Sequence, residues 1–131
     1  MKKRYALISS IFILACGQSS STTSNETDVP DISYSIINAR NDNGGQVYDI
    51  YLKDTAQIKT LNSYLKEKYN QGKRDWIQIN YFNDSEVAKS YFDNQYSTTI
   101  SDKEKDKLFR FFIANYKYNP ATKYDSLLFE H

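Results

Sequence analysis

Histidine and cysteine are almost missing from this sequence, and with them most of the common catalytic and metal-binding chemistry. The one histidine is the last residue, His131, and the one cysteine is Cys16. Covalent catalysis by a cysteine or serine needs a base beside the nucleophile, and zinc sites draw mainly on Cys and His. Neither is expected, and no metal or cofactor is. With no second cysteine, no disulfide can form within the chain, so a packed core must carry its stability. Glycine is scarce, at four residues. Gly44-Gly45 lacks the lysine and the spacing of a phosphate-binding loop. An excess of either charge is absent too, with 17 Lys+Arg against 16 Asp+Glu. A nucleic-acid binder would carry a basic stripe, so no nucleic-acid partner is expected. Long apolar runs are also lacking, because the stretch from Tyr5 to Ala15 falls short of the ~20 residues that span a bilayer.

What is present begins with that stretch. Cations Lys2, Lys3 and Arg4, an apolar run and the small residue Ala15 make the three parts of a secretory leader over residues 1–15. Ile13-Leu14-Ala15-Cys16 resembles the lipobox of bacterial lipoproteins. The resemblance implies that Cys16 receives a diacylglyceryl group and that the leader is cut before it. It implies an address and no activity: the cell envelope, with the membrane reached through the lipid. Gly17, where an aspartate would favour retention at the inner membrane, favours the outer membrane if the source has one. Two or more acyl chains are needed for a stable hold, at ~0.8 kcal/mol per buried methylene. Removing the three leader cations leaves Cys16 to His131 with a net charge of −2.

Residues 16–30 are rich in Ser, Thr and Asn, with Val29 the only aliphatic residue from Gly17 to Pro30. Such a segment cannot offset its ordering entropy by burial and reads as a disordered tether, holding the domain roughly 20 Å from the membrane as a flexible coil. Residues 31–131 then form one domain. Its 12 Tyr and 7 Phe suit aromatic-rich, half-buried strands.

Ile32 to Ala39 and Val47 to Leu52 alternate with period 2 around the turn-forming Arg40–Gly45, which predicts a β-hairpin. A calcium loop there lacks the glutamate that an EF-hand requires. Asp54 or Thr55 can cap a helix from Ala56 to about Tyr69, with a stripe of Ile58, Leu61, Leu65 and Tyr69 and Gly72 as its stop. Trp76 to Phe82 reads as a strand. Asn83 is expected to cap a second helix with Glu86 reaching back, and Ser101 to Glu104 repeats that logic. Leu108 to Tyr118 fits a helix or a strand; the aromatic content and Asn119-Pro120 favour the strand. Tyr124 to Phe129 can add an edge strand. The expected fold is α+β, a small antiparallel or mixed sheet of about four strands with two or three helices on one face. Asn80-Tyr81-Phe82, Ala88-Lys89-Ser90-Tyr91-Phe92 and the run from Ser101 to Phe109 resemble small bacterial lipoproteins of unassigned function.

If helices cover Ile77, Ile79 and Tyr81, then Trp76, Gln78 and Asn80 point the other way. Asp49 and Tyr51 join them by parity, and so do Arg110, Tyr116 and Tyr118 in the strand reading. That mix suits protein recognition, and the face is expected to meet the C-terminal tail, a second copy of the chain or a foreign protein. The carboxylate pairs Asp84/Glu86 and Asp102/Glu104 fall at helix starts, where the dipole explains them. The function expected is therefore a lipid-anchored envelope binding or protein-interaction module. The alternatives are a small hydrolase using carboxylates and a structural, self-associating envelope protein.

Overall fold

A computed structural model describes residues 29–69 and 76–130. The leader, Cys16, most of the tether, Gly72 and His131 lie outside the described residues. Strand β1 (Tyr34–Asp42) turns into β2 (Gly45–Leu52) through Asn43 and Gly44, at φ 43° and 84°. Asn-Gly is the pair that tolerates positive φ at both central positions of a two-residue hairpin loop, and it matches the strand twist. Asp54 then accepts a hydrogen bond from the Ala56 N–H and starts a single 3₁₀ turn, Thr55–Gln57. It leads into α1 (Ile58–Tyr69), so the predicted helix is present with a tightened first turn.

Beyond α1 come β3 (Ile77–Phe82), α2 (Ser85–Asn94), α3 (Asp102–Phe111), β4 (Phe112–Asn119) and β5 (Tyr124–Phe129). The cap of α2 is Asp84, whose carboxylate accepts from the Val87 N–H, and not Asn83; Glu86 pairs with Lys89 instead of reaching back. Ser101 and Glu104 do form a reciprocal capping box on α3. The ambiguous stretch divides: helix through Phe111, strand from Phe112. Asn119 holds the following turn, its side-chain oxygen accepting from the N–H groups of Ala121 and Thr122.

The class is α+β, and the sheet is mixed with strands in sequence order, β1-β2-β3-β4-β5. Among the described residues five strands stand where about four were expected, the last being Tyr124–Phe129. Among these described strands only β2 and β3 run parallel, which requires a crossover, and α1 supplies it. Its stripe packs on Tyr48, Ile50, Leu52, Ile77, Ile79, Tyr81, Ala114 and Tyr116 in one continuous core. Tyr48 stacks on Tyr69 at 4.3 Å. Asn62, buried in α1, accepts from the Tyr81 hydroxyl at 2.7 Å, and burial pushes that phenol's pKa far up.

The helices do not share one face. Phe82 follows Tyr81 in the strand and so points to the opposite side, where it clusters with Val87, Ala88, Leu108 and Phe112. Tyr91 of α2 meets Phe82 edge-on at 4.9 Å and stacks on Phe112 at 5.2 Å. The two aromatics that end β3 and begin β4 give the second face an apolar patch of its own, and α2 and α3 bury it. The sheet is thus clad by α1 on one side and by α2 and α3 on part of the other.

Both layers are expected to support the fold. Ile79→Ala should cost about 2–5 kcal/mol and Phe82→Ala about 3–5 kcal/mol, read as shifted urea midpoints. A Phe82→Ala loss below ~1 kcal/mol would mean that α2 and α3 lie loosely on the sheet.

Candidate functional site

On the second face the register aligns Asn38 with Asp49, Asp49 with Asn80, and Asn80 with Asn115. Four strands each give one polar side chain to a single row. Asp49 is completely buried. A carboxylate in that position is costly unless it is paired and hydrogen-bonded. Arg40 donates to its Oδ2 at 2.6 Å and Asn38 at 3.2 Å, while Asn80 donates to Oδ1 at 2.7 Å. Asn80 accepts in turn from Asn115 at 2.7 Å and from Gln78 at 3.0 Å. Helix α2 closes the end of the row, the Ala88 carbonyl accepting from Asn38 and the Phe92 ring lying 4.2 Å from the Arg40 guanidinium. Among the described residues no buried side-chain nitrogen or oxygen lacks a partner. Both oxygens of Asp49 are occupied, so its chemistry is that of an anchor for neighbouring strands.

One step along the sheet from this row the covering helices give way to a cleft of about 250 Å³, where β3 begins and β4 ends. Trp76, Gln78, Lys117, Tyr118, Asn119, Thr122 and Tyr124 border it. Trp76 is held in place by two contacts. Its carbonyl accepts from the Gln46 N–H at 3.0 Å. Its indole also fills the space beside Gly45 so closely that a Cβ there would lie 2.1 Å from the ring. Only glycine fits under the indole. The cleft therefore offers aromatic walls with amide, hydroxyl and ammonium groups around them, a combination that orients a ligand by a few polar contacts against apolar surface.

Of the residues singled out from the sequence, Asp49, Tyr51, Trp76, Gln78 and Asn80 do share the second face. Asp49 and Asn80 lie buried in its floor, and Trp76 and Gln78 border the cleft. Tyr116 does not join them. It pairs with Ile79 and sits in the α1 core, donating to Asp125 at 3.0 Å. Tyr118 likewise packs against the α1 core, although it also borders the cleft. Arg110 belongs to the exposed side of α3. The strand begins only at Phe112, so a parity counted through Arg110 does not hold.

Sequence reasoning missed Asn38, Arg40 and Asn115 of the polar row and Lys117, Asn119, Thr122 and Tyr124 of the cleft. The odd-numbered polar positions of β4 were a signal for Asn115 and Lys117. For Asn38 and Arg40 there was none, because a bulge between Ile36 and Asn38 breaks the alternation.

At the α1 side, Lys66 pairs with Asp125, and this hydrogen bond is the main reason the carboxyl is held below the usual range; Tyr116 lowers it further. The Tyr116 phenol is pushed well up, first by burial and then by Asp125. Tyr91 is raised mainly by burial, with Tyr96 and Asp49 adding to it. Among the described residues no three His, Cys, Asp or Glu side chains converge as a metal site, and no helix is long and apolar enough to cross a membrane. No protein-family model, curated protein or solved structure matches the chain.

The anchoring role of Asp49 has a measurable signature. Arg40→Met keeps the apolar stem and removes the charge, leaving the carboxylate buried without its cation, and should cost about 3 kcal/mol. Adding Asp49→Asn to that variant should recover part of the loss in urea melts. Equal stability of the single and double variants would show that the buried carboxylate, once without its cation, costs no more than an amide in its place.

Proposed function

We propose that the chain is a lipid-anchored binding module of the bacterial cell envelope, held through Cys16, with the cleft beside Trp76 as its recognition site. The leader and the lipobox-like Ile13-Leu14-Ala15-Cys16 support the anchor, and Gly17 favours the outer membrane where there is one. One observation carries the binding reading: the indole fixed on Gly45 at the edge of a cleft rimmed by Gln78, Lys117, Asn119 and Thr122. An aromatic ring beside amides and hydroxyls suits a ligand with a flat apolar face and a polar edge, the two aspects of a saccharide ring. A cleft of about 250 Å³ is small for an extended ligand and suits a single ring held at its tip. A hydrolase acting through Asp49 would need a free carboxylate oxygen facing the substrate, whereas both oxygens are engaged inside the sheet.

Trp76 is the chain's only tryptophan, so indole emission, excited at wavelengths where tyrosine does not absorb, reports on the cleft. Titration with soluble N-acetylhexosamine oligosaccharides is expected to change the emission saturably. The apparent affinity should fall by about tenfold in a Gln78→Ala/Lys117→Ala variant, the loss of roughly one good polar contact. An emission that stays constant up to millimolar glycan removes this ligand class. The anchor is tested separately: Cys16→Ser should abolish incorporation of labelled fatty acid and change the mass, the lipid being lost and the uncut leader of residues 1–15 kept, and an unchanged mass would overturn it.

A further inference from the structure

The two edges of the sheet are unlike. Edge strands present unpaired backbone groups, and proteins usually blunt them with bulges, charges or proline. Strand β1 carries such a device, the bulge between Ile36 and Asn38. Strand β5 has no register irregularity against β4 and contains no lysine, arginine or proline. Its one acid, Asp125, is exposed on the α1 side and is paired there with Lys66 and Tyr116. Tyr124, Leu128 and Phe129 are 44, 53 and 44% exposed. A regular, apolar edge of this kind calls for a strand beside it.

Hydrogen-bond parity identifies which backbone groups are free to receive one. The Glu130 N–H donates to the Ile113 carbonyl, and in an antiparallel pair the bonded residues recur at every second position. Tyr124, Ser126 and Leu128 therefore also turn their backbone groups to β4. Asp125, Leu127 and Phe129 direct theirs away from the sheet. Three outward residues at even spacing, centred on Leu127, are self-complementary. A two-fold axis normal to the sheet at Leu127 sets Leu127 opposite its own copy and Asp125 opposite Phe129 of the second chain, in both directions. All three outward residues then exchange N–H···O bonds, about six in all. Tyr124 falls opposite Glu130 on the α2/α3 side, where a hydroxyl meets a carboxylate.

We propose that two copies of this chain pair through β5 in that register, joining their sheets into one ten-stranded sheet. An isologous contact of this kind closes on itself and leaves no β5 edge exposed.

The register makes a charge-specific test possible. Phe129→Asp places a carboxylate opposite Asp125 at two symmetric positions, whereas Phe129→Lys places an ammonium there. The full chain carrying Cys16→Ser, in mild detergent and with the leader common to all samples, is compared by sedimentation velocity. The parent is expected to be dimeric. Phe129→Asp should raise the dimer dissociation constant by about tenfold, from two like-charge cross-strand pairs, and Phe129→Lys should leave it unchanged or lower it. Amide exchange at Leu127 and Phe129 should also slow with rising protein concentration. A monomeric parent overturns the proposal, and so do two variants that behave alike. The reverse ranking overturns the register.

Discussion

A carboxylate buried in the middle of the sheet is the constraint on which the rest of this structure turns. Asp49 has no contact with water, and its charge is met by Arg40, Asn38 and Asn80 from the strands on either side. A one-residue slip of β2 would carry Asp49 to the α1 face, among Ile79, Tyr81 and Leu61, and leave Arg40 and Asn80 without their acceptor. The apolar layers can tolerate exchanges of similar volume, but the polar row admits a single register. Buried networks of this type add little to stability compared with hydrophobic replacements, but leaving one member unpaired is costly. Here the row runs from β1 through Asn115 of β4, so it aligns a parallel and two antiparallel pairings together.

The way the sheet is covered decides where a ligand can go. Phe82 and Phe112 bring α2 and α3 onto the second face, and these helices enclose what would otherwise be a broad aromatic and polar platform. Surface remains at one end of that face and along β5. Tyr124 belongs to both, lining the cleft beside Trp76 while starting the exposed strand. The Trp76 platform depends in turn on Gly45, the first residue of β2, so the hairpin that begins the domain shapes the site that β3 and β4 complete.

Much of the local structure was legible in the residues themselves. Alternation in Val47–Leu52 placed Tyr48, Ile50 and Leu52 together, the stripe of Ile58, Leu61 and Leu65 defined α1, and Ser101 with Glu104 marked the start of α3. Each signal acts within a few residues through backbone geometry, a capping hydrogen bond or side-chain period, and so needs no knowledge of the rest of the chain. Half of the site was legible in the same way: Asp49, Trp76, Gln78 and Asn80 follow from parity on two regular strands.

Tertiary structure alone decided the remainder. The bulge at Ile37 turns Asn38 and Arg40 onto Asp49, and it is visible only in the pairing with β2. The end of α3 at Phe111 is set by Phe112 entering the cluster with Phe82 and Tyr91, contacts that span the whole β3–β4 connection. Which face each helix covers was undetermined because each stripe is apolar in the same way, and only Phe82, read together with Phe112, distinguishes the two sides. Local sequence sets how a segment folds; the burial of residues far apart in the chain sets what that segment lies against.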